Sequence, residues 1–82
     1  MINKYVLTKH AEFQIRERKI SIDWVKQSLN NPDKIILRAD DHGNTHYLKQ
    51  IQEFGNRYLR VVINTTVEPN KIVTLFFDRR IK

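Results

Sequence analysis

The sequence predicts an α+β fold: two N-terminal helices packed on one face of a mostly antiparallel four-stranded sheet. Three observations lead there. Apolar residues recur at helical spacing in the first third of the chain, the pattern shortens to β-branched runs after Pro32, and Gly55-Asn56 separates two such runs as a hairpin connection would.

Residues 2–7 read as a short extended lead-in, and Thr8 as the N-cap of a helix running to about Lys19. With each residue turning the side chain by about 100°, His10, Ala11, Gln14, Ile15 and Arg18 share an arc of roughly 140°. Ala11 and Ile15 mark that arc as the packed side, so His10 and Arg18 are expected to flank buried groups, with Phe13 outside. Ser21 reads as a second N-cap, with Asp23 in the first turn where a negative charge suits the helix dipole. Ile22, Val25 and Leu29 continue as an amphipathic helix that Asn30-Asn31-Pro32 stops, and Trp24 is expected to pack.

Lys34–Ala39 is the first full strand, ended by the loop Asp40-Asp41-His42-Gly43-Asn44. Thr45–Phe54 and Arg57–Thr65 form the hairpin. If Phe54 faces Arg57, then Leu48, Gln50, Gln52, Phe54, Leu59, Val61 and Ile63 turn toward the helices. Tyr47, Lys49, Ile51, Glu53, Tyr58, Arg60 and Val62 then make an aromatic and cationic outer surface. Lys71–Phe77 suits a central strand covered on both sides, and Asp78–Lys82 reads as a charged tail.

Eighty-two residues make one domain, 1–82, with a modest core. No run approaches the roughly 20 apolar residues that cross a bilayer, and Met1-Ile2-Asn3-Lys4 has no signal-peptide block, which together read as cytoplasmic. The absence of cysteine removes disulfides and thiolate sites. A net charge of +6 and a pI near 9.9 suit a polyanion: RNA, DNA or an acidic protein. His42 and His46 beside Asp40 and Asp41 lack convergent metal-ligand spacing, so no metal or cofactor is expected.

Thr8-x-His10-Ala11, Arg18-x-Ile20-Ser21, Asn31-Pro32, Arg57-x-x-Arg60-Val61-Val62, and Ile72-Val73-Thr74 with Asp78-Arg79-Arg80 carry a resemblance that covers nearly all of the chain. It resembles a family of small bacterial domains of unknown function described as distant relatives of the RelE, ParE and BrnT toxins. The resemblance implies a RelE-like ribonuclease-toxin fold and, in some members, the toxin of a toxin-antitoxin pair. It departs at Gln14, where such relatives often carry arginine, and at Lys19, where they carry glycine. Glutamine supplies neither the fixed charge nor the bidentate fork of a guanidinium.

Metal-independent RNA cleavage needs a base for the 2′-hydroxyl, an acid for the leaving oxygen and cations on the phosphorane. His10, in the first helical turn, suits the acid-base role or locks helix to sheet through a backbone hydrogen bond. Arg18 either clamps phosphate or pairs with a buried carboxylate. Arg60 either meets phosphate on the face of Tyr47, Lys49 and Tyr58, where bases would stack, or pairs with Glu53. Thr74 and Arg79 resemble the strand and strand-end positions where the toxin fold places active groups. The expected function is thus a toxin-like, metal-independent endoribonuclease acting on RNA or the ribosome, with an acidic antitoxin as possible partner. The alternative is a non-catalytic basic module that binds nucleic acid or an acidic protein.

Overall fold

Thr8 organises the start of the fold. In the computed structural model, which describes residues 5–37 and 43–79, its hydroxyl accepts from the Ala11 N–H and caps helix α1 (Lys9–Arg18). The same hydroxyl lies 2.9 Å and 3.1 Å from the carbonyls of Ile72 and Val73, which share its single hydrogen. The cap therefore also ties the segment before α1 to the last strand. Tyr5–Leu7, expected as a lead-in, becomes strand β1 and pairs in parallel with β5 (Asn70–Asp78), with Leu7 opposite Ile72.

This pairing corrects the expected sheet. It has five strands, in the order β1-β5-β4-β3-β2, and is mixed, not four-stranded and antiparallel. Parallel neighbours need a long crossover. Here both helices and three strands lie between β1 and β5 in the sequence, a separation that local patterning does not reveal. The antiparallel remainder is β2 (Lys34–Leu37), β3 (Asn44–Ile51) and β4 (Arg57–Asn64).

Helix α2 (Ile22–Asn30) starts from Ser21, whose side chain accepts from the Asp23 N–H. Between the helices the chain turns through Lys19 in the left-handed region (φ 53°), with the Ile20 N–H donating to the Ile15 carbonyl. Ala11, Ile20, Val25 and Leu29 join Ile51, Leu59, Val61, Ile63, Ile72 and Leu75 in one buried cluster. None of the described helices is long and apolar enough to cross a membrane. The expectations for Asp40, Asp41 and His42, and for the tail beyond Arg79, lie outside the described residues.

The hairpin register also differs from expectation. Leu48 lies opposite Arg60 and Ile51 opposite Arg57, so Gly55-Asn56 is not a two-residue connection. Five residues intervene: a 3₁₀ turn, Gln52–Phe54, followed by Gly55 and Asn56 at φ 66° and 59°. Trp24 of α2 holds two of the turn's three side chains. The indole Nε1 donates to Glu53 at 3.0 Å, and the ring lies 5.6 Å from that of Phe54. Phe54 in turn stacks on Phe77 of β5, 4.4 Å between centroids and 24° between planes. The connection is thus three residues longer than expected, an odd shift, and an odd shift in side-chain period two exchanges the faces of one strand against the other.

Candidate functional site

The exchange of faces divides the expected nucleic-acid surface. Tyr47 and Lys49 lie on the side of Leu59 and Val61, while Tyr58 and Arg60 lie on the opposite side with Leu48. Tyr47 is half-buried against the core cluster. Lys49 pairs with Asp33 at 3.6 Å, and Asp33 also accepts from the Gln50 N–H at 2.8 Å. Neither is free to make an open stacking platform with Tyr58.

Arg60 is not exposed at all. It is 6% accessible, its Nε donates to the Asp78 carboxylate at 2.8 Å, and its NH1 donates to His46 Nδ1 at 2.8 Å. Glu53, its expected partner, is taken by Trp24. Because a guanidinium only donates, His46 accepts at Nδ1 and carries its proton on Nε2. Asp78, expected in a charged tail, closes β5 and is itself buried. Thr74, half-buried and opposite Val62, belongs to this same side of the sheet. Arg60 and Thr74 are therefore removed from any site shared with α1.

What α1 does border is a cleft of about 560 Å³ lined by Phe13, Gln14, Glu17, Arg18, Phe54, Arg57, Phe77 and Arg79. Three elements build it. The helix supplies Phe13, Gln14, Glu17 and Arg18; the turn and the first residue of β4 supply Phe54 and Arg57; the end of β5 supplies Phe77 and Arg79. Arg18 and Arg79, both expected as site residues, come together here, while Arg57 was missed. Its guanidinium carbon sits 5.5 Å from the Phe54 centroid. The signal for it was the motif Arg57-x-x-Arg60, whose first arginine, not its second, reaches the open side.

Electrostatically the cleft is one-sided. Among the described residues none of its three guanidiniums has a carboxylate partner, and Glu17 is its single acidic lining residue. Arg18 is exposed, contrary to the expectation that it flanks buried groups; only Ala11 of the inward arc is fully buried. Phe13 presents an open ring, 52% accessible.

His10 is likewise exposed and does not itself line the cleft. It reaches it through Gln14, one helical turn on, whose Nε2 lies 3.3 Å from His10 Nε2. An amide nitrogen only donates, so the imidazole offers its Nε2 lone pair to Gln14. The chemistry available is thus anion binding by three arginines, stacking on phenylalanine rings, and one imidazole at the rim.

A family model described as Domain of unknown function (DUF4258) matches residues 7–77, which takes in both helices and every cleft residue except Arg79. No curated protein and no solved structure matches the chain. Nothing in these comparisons links it to the RelE, ParE or BrnT toxins.

Proposed function

Since the chain belongs to the DUF4258 family, we propose that it is a toxin-like, RNA-directed domain that holds single-stranded RNA in the cleft beside α1. The observation that carries this reading is the convergence of Arg18, Arg57 and Arg79, without carboxylate partners among the described residues, on a wall of phenylalanine rings. Guanidiniums grip phosphates bidentately, and exposed rings take unstacked bases, each stack contributing about 1–3 kcal/mol. Paired bases cannot reach such rings, so a single strand is the form that fits. The cleft volume lies within the roughly 300–1,000 Å³ of small-ligand sites, room for a nucleotide-sized group and not for a duplex. RNA over DNA follows here from the toxin resemblance.

Cleavage is a second reading, favoured by His10. An exposed imidazole that exchanges its Nε2 hydrogen bond to Gln14 for the ribose would take the 2′-hydroxyl proton as that oxygen attacks phosphorus, Arg18 and Arg79 would hold the charge of the phosphorane, and water would protonate the departing 5′-oxygen to leave a 2′,3′-cyclic phosphate. Arg60 and Thr74 have no part in this scheme. An acidic antitoxin would neutralise such a domain by covering the same arginines.

The test is fluorescence anisotropy with labelled single-stranded and duplex RNA on intact protein. The single strand should bind more tightly, and Arg18→Ala, Arg57→Ala and Arg79→Ala should each weaken it several-fold. Equal affinity for both forms, or arginine variants that bind like the unaltered chain, would sink the proposal. Incubation of single-stranded RNA with chelator separates the two readings: products that vanish in His10→Ala identify an endoribonuclease, whereas tight binding without products identifies a binding module.

A further inference from the structure

Three phenylalanine rings line the cleft, and they are not equally open. Phe77 lies almost parallel to Phe54, 4.4 Å between centroids and 24° between planes, so it fills one face of that ring. The Arg57 guanidinium, over the same ring at 5.5 Å from its centroid, takes the other. Phe77 in turn has Phe54 on one side and meets the Trp24 indole at 79°, 5.8 Å away. A base can add to neither ring without displacing a neighbour. Phe13 differs: it comes from α1, is 52% accessible, and among the described residues makes no ring-to-ring or cation contact.

We infer that the cleft takes one unstacked base, on Phe13, and that Phe54 is a positioning residue that aims Arg57 at phosphate. The inference rests on the cleft holding a single strand and deepens that reading by fixing the unit bound, one nucleotide with its flanking phosphates. A ring face already covered by another ring or by a guanidinium has little stacking left to offer, whereas an open face gains the whole contact when a base displaces water from it. The cation–π contact serves a different end. An arginine loses side-chain freedom when it grips an anion, and one already laid on a ring has less to lose. Trp24 keeps that ring in place, its Nε1 donating to Glu53 and its own ring 5.6 Å from Phe54. The two phenylalanines thus act on different parts of the nucleotide: Phe13 on the base, and Phe54, through Arg57, on the phosphate.

The experiment compares three short strands of equal length by anisotropy at fixed salt: all adenine, a single adenine among stable abasic units, and wholly abasic. The single-adenine strand should bind at least about fivefold more tightly than the abasic one, the lower end of what one base on one ring contributes. Phe13→Ala should bind all three alike, at the affinity the unaltered chain shows for the abasic strand, and Phe13→Trp should restore the preference for a base. Phe54→Leu should weaken all three by a common factor and leave that preference intact. Circular dichroism confirms that the variants fold, and the Phe13 pair decides the matter should Phe54→Leu not. An all-adenine strand that still binds Phe13→Ala more tightly than the abasic strand overturns the inference, because another ring then takes bases. So does a Phe54→Leu protein that loses the base preference while holding the abasic strand as before. Equal binding of the three strands by the unaltered chain overturns it too and leaves the arginine grip on phosphate standing. Failure to bind any strand overturns the cleft reading itself.

Discussion

Arg60 shows how a residue that resembles a functional group becomes a structural one. At 6% accessibility its guanidinium meets Asp78, 4% accessible, at 2.8 Å, with His46 on the other side. Removing one partner of a buried pair leaves the other charge desolvated without its main compensation, which costs about 3–5 kcal/mol. That is a large share of the roughly 5–15 kcal/mol that holds a domain together. Arg60→Ala should therefore lower the denaturation midpoint severely, and Asp78→Ala should do the same. A replacement of both by apolar residues of similar volume should recover much of the loss. The measurement is denaturant unfolding followed by circular dichroism. An Arg60→Ala protein as stable as the unaltered chain, yet deficient in RNA binding, would return Arg60 to the functional site. Nothing in the spacing of residues 57–62 distinguishes these fates, because the partner lies 18 positions away on another strand.

At the level of elements, the parts governed by neighbouring residues were legible and the parts governed by distant ones were not. Thr8 and Ser21 cap their helices as read, because an N-cap needs only a short oxygen and the next few amides. Trp24 packs as expected, yet its hold on Glu53 and Phe54, 29 and 30 residues on, lengthens the hairpin connection and exchanges the faces. The strand β1 escaped for the same reason, its partner being 65 residues away. Of the cleft's three arginines, Arg18 and Arg79 were among the expected site residues and Arg57 was not, since its place in the cleft emerges only once the turn is built. The joint between the helices offers a prediction at this scale. Lys19 stands at φ 53° and ψ 46°, a conformation that costs a residue with a Cβ about 1–2 kcal/mol and glycine little. Against the extra freedom glycine gains in the unfolded chain, Lys19→Gly should stabilise by about 0.5–1 kcal/mol and raise the melting temperature by a few degrees. Thermal melts monitored at the helical band check it; a lower melting temperature would mean that the lysine side chain contributes more than its backbone costs.

For the whole molecule, the net charge of +6 and the three-arginine cleft predict different binding to a polyanion. Charge spread over the surface attracts any nucleic acid, and many weak contacts would each release counterions. A cleft in which three guanidiniums make the phosphate contacts releases few. Each phosphate contact on a single strand changes the slope of log affinity against log salt by about −0.7, so the cleft alone predicts a slope of about −2. Raising salt from about 50 to about 200 mM should then weaken binding by roughly fifteen-fold. Lys49 and Arg60 are spent on Asp33 and Asp78 and should contribute nothing to that slope. The combined Arg18→Ala, Arg57→Ala and Arg79→Ala protein should flatten the dependence nearly to zero, although most of the chain's fifteen lysines and arginines remain. A slope much steeper than −2 that persists in the triple variant would place recognition on the diffuse charge of the surface, and the cleft would lose its claim to be where the strand binds.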